Sequence, residues 1–473
     1  MKKIMLSAIF SISCLGFSFP QSITFEKYYD YGFAEAGNSV QQTSDGGYII
    51  FGRQGITFGV SKVLLIKTYS NGQEQWHNLI GGNNNDNFGH AGQQTIDGGY
   101  IIAGYTTLPS FGYNIYLIKT DSNGDTLWTK NYGGSKSEEA WSVQQTTDGG
   151  YIIAGYQDST ACLIKTDTNG SAQWFKNYKS AGYKGTVAYS VQQTSDGGYA
   201  FTGIAVNNTG TFTDVLLVKT DSNGDTLWTK TYGGISLDYG RSVKQTSDGG
   251  YIITGYTGSF GNGSYDVYLI KTNSSGDTIW TKTYGDQNEN TGRSVNQTTD
   301  GGYILGCTTA TPNPYDLWLI KTNANGDTIW TKTFGDTSPQ YAGFDRCLQQ
   351  TSDGGFVITG LTDQGFGSAY LIKTDSTGYA PNGIPIIPVA ENQLTVYPNP
   401  FNTAATLIIP DKYLTEIELS FAMYDMLGRE LLRAKINREK HIKIERGNLE
   451  QGIYLIRLLS KSQIIASGKI IIN

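Results

Sequence analysis

Residues 39–50 read S-V-Q-Q-T-S-D-G-G-Y-I-I, and close copies of this phrase recur through most of the 473-residue chain. Seven copies contain a D-G-G-aromatic turn, beginning at Asp45, Asp97, Asp148, Asp196, Asp248, Asp300 and Asp353. The copies are 48 to 53 residues apart, a period typical of propeller blades. Each unit is divided by turn residues into strand-like runs. The repeats therefore predict an all-β fold, a seven-bladed β-propeller.

The seventh copy is incomplete at its end. The first six copies each contain a tryptophan strand, with the tryptophans at Trp76, Trp128, Trp174, Trp228, Trp280 and Trp330. The seventh has none, but an additional strand-like run, Ser22 to Tyr29, precedes the first copy and has Phe25 in place of the tryptophan. We predict that this N-terminal strand pairs with the strand around Tyr370 to Thr374 and closes the ring.

Composition agrees with a turn-rich β protein and argues against some partners. The chain has 60 glycines and 32 tyrosines, and only 16% of its residues are charged. The net charge is −6 and no basic stripe is present, so nucleic acid is not an expected partner. Cys162, Cys307 and Cys347 lie within strand patterns, and their odd number and lack of spacing predict buried thiols.

The ends of the chain differ from the repeats. Two lysines followed by an apolar run predict a signal peptide over residues 1–20, with a lipoprotein cysteine at Cys14 as the alternative. The propeller is assigned to 21–376 and a proline-rich linker to 377–392. Residues 393–473 contain short alternating strands that predict a small C-terminal β-sandwich. No further stretch is long enough to cross a bilayer, so no span is expected in the mature chain.

One position of the repeat varies among the seven copies, although the positions around it are nearly identical. Directly before the S-V strand stand Asn38, His90, Trp141, Tyr189, Arg241, Arg293 and Arg346. In a propeller the first strand lines the central channel, so this position should surround the channel mouth on the face that carries the variable connections. Arginine provides planar donor pairs, and tryptophan and tyrosine provide stacking faces.

These residue types favour an anionic or sugar-like ligand at the mouth. The candidate binding residues are therefore His90, Trp141, Tyr189, Arg241, Arg293 and Arg346. The alternative is that these side chains only cover the strand ends. The glutamines that follow in each S-V-x-Q strand are expected to form hydrogen bonds within the channel.

Signals for catalysis are weak. The histidines are scattered, and the sequence contains no common zinc-protease, serine-hydrolase or phosphate-loop motif, so no catalytic residue, metal or cofactor is assigned. The turn Asp121 to Thr126 places oxygens at alternate positions, as a calcium loop does, but a strand follows where such a loop needs a carboxylate. The rival to binding is a polysaccharide hydrolase or lyase that uses loop carboxylates such as Glu138, Glu139, Asp238 or Asp345.

The C-terminal residues contain four motifs in order. They are Val396-Tyr-Pro-Asn-Pro-Phe401, Tyr424-Asp-Met-Leu-Gly-Arg429, Leu449-Glu-Gln-Gly-Ile-Tyr454 and Gly468-Lys-Ile-Ile-Ile472. This pattern resembles the C-terminal (type A) sorting domain of type IX secretion cargo, found in Bacteroidota. The motif residues are Pro398, Asn399, Pro400, Gly428, Gly452 and Tyr454. The resemblance implies the type IX secretion machinery as a partner and a secreted or outer-membrane surface-attached location.

The repeats also resemble a known propeller family. Asp121 to Trp128 and Asp221 to Trp228 match the D-x-x-G-x-x-x-W pattern of tryptophan-docking, quinoprotein-like propellers. The resemblance implies that each tryptophan packs between neighbouring blades. It extends to architecture only, because the vicinal cysteine pair of the quinoprotein dehydrogenases is absent, so their cofactor is not expected. The sequence thus favours a non-catalytic binding module for glycan or protein.

Overall fold

The structure is a computed structural model that divides into two compact units, residues 1–382 and 383–473. It describes residues 23–57, 60–82, 85–108, 112–134, 137–310, 315–335, 338–362, 367–380, 394–414, 419–424, 430–437, 439–447, 449–460 and 463–472. The predicted signal peptide and most of the predicted linker lie outside these residues. No helix among them is long and apolar enough to span a membrane.

The first unit consists of strands. In its first half they are β1 Phe25–Tyr29, β2 Glu35–Gln42, β3 Tyr48–Thr57, β4 Val60–Thr68, β5 Glu74–Ile80, β6 Asn87–Gln94, β7 Tyr100–Leu108, β8 Gly112–Thr120, β9 Thr126–Tyr132, β10 Glu138–Gln145, β11 Tyr151–Gln157, β12 Thr160–Thr166 and β13 Ala172–Tyr178. In its second half they are β14 Tyr183–Gln193, β15 Tyr199–Asn207, β16 Thr213–Thr220, β17 Thr226–Tyr232, β18 Asp238–Gln245, β19 Tyr251–Thr257, β20 Asp266–Thr272, β21 Thr278–Tyr284, β22 Asn290–Gln297, β23 Tyr303–Thr309, β24 Asp316–Thr322, β25 Thr328–Phe334, β26 Gln340–Ala342, β27 Leu348–Gln350, β28 Phe356–Thr362 and β29 Ser368–Thr374.

These strands form seven antiparallel sheets within the described residues. Six sheets contain four consecutive strands each, from β2–β5 to β22–β25. The seventh contains β26 and β27 paired with β28, then β29, then β1 at its edge. The first strands touch one another in a closed circle, in the order β2, β6, β10, β14, β18, β22, β27 and β2 again. The all-β prediction is confirmed, and we refer to this circle of sheets as the ring.

The N-terminal strand joins the last sheet to the first. In β1, Phe25 lies opposite Lys373 and Tyr29 opposite Ala369, which confirms the predicted pairing. Both aromatic side chains are buried in a cluster that combines residues of the first and seventh sheets. The Tyr29 hydroxyl also donates to the carbonyl of Gly72, 2.8 Å away, in the first sheet. The two ends of the repeat region are therefore held together by one strand.

Neighbouring sheets are connected by aromatic packing at their outer edges. Gly124, in the second sheet, has a φ of +81°, and a Cβ added there would lie 2.7 Å from the ring of Trp76 in the first sheet. A glycine is therefore required where the tryptophan ring approaches the turn. The same approach recurs from Trp128, Trp174, Trp228, Trp280 and Trp330 onto Gly170, Gly224, Gly276, Gly326 and Gly378. Gly378 and the buried Ala380 thus belong to the first unit, beyond the boundary assigned at 376.

Hydrogen bonds connect the same sheets near the centre of the ring. The glutamine that ends each S-V-x-Q phrase accepts, at 2.8–3.0 Å, a main-chain N–H from the D-G-G turn of the preceding sheet. All seven bonds are present, including the one from Ser352 to Gln42 that closes the circle. The predicted hydrogen bonding of the glutamines is confirmed, and the same contact joins every sheet to the next.

Each repeat also contains one buried lysine paired with the aspartate of its D-G-G turn. The lysine side chains are 1–6% exposed, and each ammonium lies 2.8–3.0 Å from the carboxylate. Burial acts to raise the pKa of Asp300, but hydrogen bonds from Lys321, Thr298 and the Gly302 N–H outweigh it and lower the pKa to about 2. Asp196 and Asp248 behave in the same way.

These pairs predict acid sensitivity. A carboxylate with a lowered folded-state pKa stabilises the fold above its unfolded value near 4, and this contribution is lost as the pH falls towards 2. Asp300→Asn should lower the free energy of unfolding by about 1 kcal/mol at pH 6, since the carboxylate is partly solvated. Urea unfolding should show this deficit shrinking steadily as the pH falls from 4 through 2. A deficit of the same size at both pH values would contradict the assignment.

The second unit contains two sheets. Its elements are β30 Thr395–Tyr397, β31 Ala404–Ile408, a 3-10 turn Asp411–Tyr413, β32 Leu419–Tyr424, β33 Glu430–Lys435, β34 His441–Glu445, β35 Gly452–Ser460 and β36 Gln463–Ile472. One sheet has the order β30-β31-β34 and the other β33-β32-β35-β36. Side chains of both sheets share one hydrophobic core, as a small sandwich requires. The sequence analysis did not predict β33.

Candidate functional site

The variable position before the S-V strand is a β-bulge in six of the seven sheets. In six sheets the pairing of the first two strands shifts by one residue at this position, for example between Gly240 and Ser242 around Arg241. A bulge inserts one unpaired residue and redirects its side chain. We call these residues the bulge positions. The end of the channel that they border is called the mouth. The variation seen in the sequence is therefore attached to a fixed backbone feature.

Two of the candidate residues form an aromatic group at the mouth. The rings of His90 and Trp141 lie 4.1 Å apart, and Phe344 of the seventh sheet packs against both at 5.2 and 5.3 Å. Nε2 of His90 lies 2.7 Å from Glu139 Oε1. Burial lowers the pKa of His90, although Glu139 opposes this shift. Among the described residues, the Trp141 Nε1–H has no hydrogen-bond acceptor. This side of the mouth is closely packed and neutral at His90.

Tyr189 and Arg241 form the adjoining part of the mouth. The Arg241 guanidinium lies 4.2 Å from the centre of the Tyr189 ring and donates from Nη2 to the Tyr256 hydroxyl at 3.1 Å. Tyr256 in turn stacks on Tyr239 with 4.5 Å between ring centres. Trp141 meets Tyr189 edge to face at 5.3 Å, which links this group to the aromatic one. The aromatic rings hold the guanidinium in place by cation–π attraction.

Arg293 is the least compensated group at the mouth. Burial and the nearby charge of Arg241 lower the pKa of Arg293 to about 10. Nε of each of these two arginines lacks a hydrogen-bond partner among the residues that the structure describes. Buried donors without partners are costly, and a ligand with acceptor oxygens would relieve that cost. The pair therefore provides positive charge and free donors beside tyrosine rings.

Arg346 does not join the other candidates. The seventh sheet interrupts its first strand between β26 and β27, and Arg346 takes a left-handed φ of +64°. Its Nη1 donates to Gln93 at 3.4 Å, and it borders a cavity inside the channel. The predicted circle of six residues is thus a row of five neighbours, with Arg346 directed elsewhere. Asn38, at the same repeat position, uses its amide to bind the Gly89 carbonyl at 2.7 Å.

Several residues of the mouth were missed by sequence reasoning. Phe88 and Tyr239 stand two positions before a bulge position, and Phe344 stands two positions before Arg346. Tyr105 and Tyr256 face Phe88 and Tyr239 across the strand pair. The signal was present, because this second position also varies between repeats. Its alternation with the bulge position places both on one rim. The mouth is therefore richer in aromatic side chains than the sequence alone indicated.

The loop carboxylates considered for catalysis are committed to other contacts. Glu138 accepts from the amide of Gln157 at 3.2 Å, and Asp238 accepts from Ser259 Oγ at 2.7 Å. Asp345 accepts from Ser142 Oγ at 3.0 Å, and Glu139 accepts from the Tyr156 hydroxyl as well as meeting His90. The calcium alternative also loses support, since Asp121 Oδ1 accepts the main-chain N–H groups of Asn123 and Asp125 at 2.9 Å. These carboxylates shape loops and turns.

The sorting motifs occupy strand ends of the second unit. Asn399 donates to the Lys469 carbonyl and accepts from the Ile471 N–H, both at 2.8 Å, which places the segment with Pro398 and Pro400 beside β36. The buried Tyr454 donates to the Glu450 carbonyl at 2.9 Å, and Gly452 begins β35. Gly428 lies outside the described residues. The motif residues Asn399 and Tyr454 thus make contacts that hold the sandwich together.

Residues 395–473 match the family model of a secretion system C-terminal sorting domain. This confirms the predicted type IX sorting domain and the interaction with the type IX machinery that it implies. The protein is accordingly secreted or attached to the cell surface. The match covers the second unit and assigns no role to the ring.

The chain also has distant structural likenesses. The extracellular domain of a hybrid two-component system from B. thetaiotaomicron matches with a TM-score of 0.45 and 11% identity, over 95% of this chain and 58% of that one. An ulvan lyase matches with a TM-score of 0.47 and 10% identity, over 74% of this chain and 96% of that one. Puromycin hydrolase matches with a TM-score of 0.45 and 13% identity, over 79% of this chain and 59% of that one. This chain therefore spans less than two thirds of the hydrolase and of the two-component system domain. No curated protein matches the sequence.

Proposed function

We propose that the first unit is a seven-bladed β-propeller, closed by β1 and made of tryptophan-docked repeats, that binds a glycan carrying anionic groups outside the cell. A signal peptide over residues 1–20 and a linker before the sorting domain complete the proposed organisation. The ring of seven sheets, each spaced from the next by the same glutamine bond, supports the blade count. The sorting domain supports delivery of this ring to the outside.

The observation that carries the proposed binding is the arginine pair at the mouth. Arg241 and Arg293 are close enough for like-charge repulsion, and each has a buried Nε–H without an acceptor among the described residues. Glu138 and Asp238 accept from Gln157 and Ser259, and neither forms an ion pair with these arginines among the described residues. Glu289 is the carboxylate whose charge acts on Arg293. Planar guanidinium groups recognise carboxylate and sulfate oxygens in pairs, and tyrosine faces support sugar rings. The mouth thus provides both parts of an acidic sugar site.

The rival function, cleavage of a polysaccharide, has less support. Hydrolysis by retaining or inverting mechanisms needs two carboxyl groups that can act as acid and as base or nucleophile. The candidate carboxylates each accept hydrogen bonds from protein groups, and Glu138, Asp238 and Asp345 are buried. A protein chain as ligand is the other alternative, and a glycan array separates it from the proposal. Binding of an acidic glycan without turnover is the expected result.

Arg293→Ala should weaken glycan binding and leave the fold intact. Its Nε–H has no acceptor among the described residues, so the melting temperature should change little. Loss of a charge-assisted contact should reduce the affinity by about tenfold or more. Binding is measured by titration with the best acidic glycan from an array. The matched control is Lys130→Ala, an exposed cation on the outer strand β9, which should bind like the unmodified protein.

The opposite pattern would contradict the proposed site. If Arg293→Ala lowers the melting temperature and leaves glycan affinity unchanged, the arginine is structural. If no acidic glycan on the array binds the unmodified ring, the proposed ligand class is wrong. Arg241→Ala is less suitable as a test, since it also removes the contacts with Tyr189 and Tyr256 and should lower stability as well.

A further inference from the structure

One lysine interrupts a regular row of hydrogen bonds inside the channel. In five sheets the first glutamine of the S-V-x-Q phrase accepts, at 2.7–3.0 Å, the main-chain N–H of the second glutamine in the next sheet. The acceptors are Gln41, Gln93, Gln144, Gln192 and Gln349. The fifth sheet has Lys244 at this position, and an ammonium group cannot accept a hydrogen bond. The sixth sheet also departs from the row, because its Asn296 amide donates to the Leu348 carbonyl at 2.8 Å. Lys244 is the one position of this row where the missing contact comes with a positive charge.

Lys244 borders a cavity of about 130 Å³ within the channel. Arg346, the candidate that turned away from the mouth, lines the same cavity, together with Gln93, Asn296 and Gln349. No described residue forms a hydrogen bond or ion pair with the Lys244 ammonium. A cavity of about 10–15 Å³ is enough to hold one water molecule, so this cavity has room for a small polyatomic ion. It is below the roughly 300–1,000 Å³ usual for drug-sized ligands, so a larger molecule is disfavoured.

The charges around this cavity do not balance. The charged groups that face Lys244 are Arg346 and Asp345. Nε of Arg346 lies 3.9 Å from Asp345 Oδ2, which is too far for a hydrogen bond, and that oxygen already accepts from Ser142 Oγ. Two half-buried cations thus share one carboxylate. Burial, with Arg346, lowers the pKa of Lys244 to about 8, which leaves it mostly protonated at pH 7.

We propose that this cavity binds a compact oxyanion, of which inorganic sulfate and phosphate are the simplest examples. The Lys244 ammonium and the Arg346 guanidinium would hold it, and the channel amides of Gln93 and Asn296 would donate to its remaining oxygens. An anion here supplies the charge that the protein lacks and an acceptor for the unpartnered Arg346 Nε. The site goes beyond the glycan function proposed for the mouth, because it uses different residues and a ligand small enough to enter the channel.

The test compares the unmodified protein with Lys244→Gln. Glutamine is the residue of five other sheets, and it can accept the Gln297 N–H, so this variant should fold at least as well. Thermal unfolding is followed while sulfate replaces chloride at constant ionic strength. At saturating sulfate the melting temperature of the unmodified protein should rise by roughly 3 °C or more, since a ligand of the folded state stabilises it. The variant should lose this rise.

Controls separate a site from a general salt effect. Lys130→Gln removes an exposed lysine from the outer strand β9 and should keep the full response to sulfate. Titration calorimetry with sulfate should show binding to the unmodified protein and none to Lys244→Gln. An equal sulfate response in both proteins, or no greater stabilisation by sulfate or phosphate than by chloride at equal ionic strength, would overturn the proposal. Neither result bears on the Arg293→Ala experiment, so the two sites are tested separately.

Discussion

Removal of β1, residues 25–29, should abolish the cooperative folding of the ring. This strand supplies the edge partner of β29 and two aromatic side chains of the cluster between the first and seventh sheets. Without it the circle has an open edge with unpaired main-chain groups, and the first and last sheets lose their shared packing. We expect thermal unfolding to become broad or to disappear, and the protein to aggregate.

A single substitution gives a graded version of this experiment. Phe25 is 6% exposed and lies over Gly72, as the tryptophans do in the other sheets. Phe25→Ala should lower the free energy of unfolding by about 3–5 kcal/mol, the usual cost of removing a buried phenylalanine ring. Ile23→Ala, at a residue that is half exposed just before β1, is the matched control and should change little. Equal, small effects of both substitutions would show that β1 is not needed for closure.

A chain that ends at Asn382 should keep the ring folded and lose export. The core of the second unit contains only residues from Leu394 onward, so the two units have separate hydrophobic cores. The melting temperature of the ring should stay within about 2 °C of that of the full chain. Without the sorting domain the type IX machinery has no signal to recognise, and the protein should accumulate in the periplasm.

Cell fractionation measures the export half of this prediction. Full-length protein should appear at the surface or in the medium, and the truncated protein in the periplasmic fraction. The end point matters, because a chain ending near Thr377 would also remove Gly378, on which Trp330 packs, and Ala380 of the core. Surface export of the chain ending at Asn382 would contradict the role of the sorting domain, and a large loss of stability would contradict the division into two units.

The sequence was sufficient for the parts of the fold that repeat. Strand order within each sheet and the closure by residues 22–29 followed from counting units, since six tryptophan strands need a seventh partner. The hydrogen bonds of the glutamines were also predicted, because side-chain amides that line a channel have few partners other than one another and the main chain. By contrast, β33 was missed because Glu430–Lys435 consists mainly of residues that favour helices, and only its pairing with β32 makes it a strand.

The mouth was predicted in position but not in detail. A variable position beside fixed neighbours marked His90, Trp141, Tyr189, Arg241 and Arg293, and the structure brings these five together. The bulge that presents them depends on the pairing of two strands and has no signature of its own in the sequence. The direction of Arg346 follows from a positive φ and a divided strand in the seventh sheet. Long-range contacts such as Phe344 with Trp141 likewise depend on ring closure.

The most direct test of glycan binding at the mouth is a crystal structure of the ring with the best acidic glycan from the array. We predict the acidic group beside the guanidinium groups of Arg241 and Arg293, with a sugar ring against Tyr256 or Tyr239. A glycan bound on the face of the D-G-G turns or along the outer strands, with the mouth empty, would contradict the proposal.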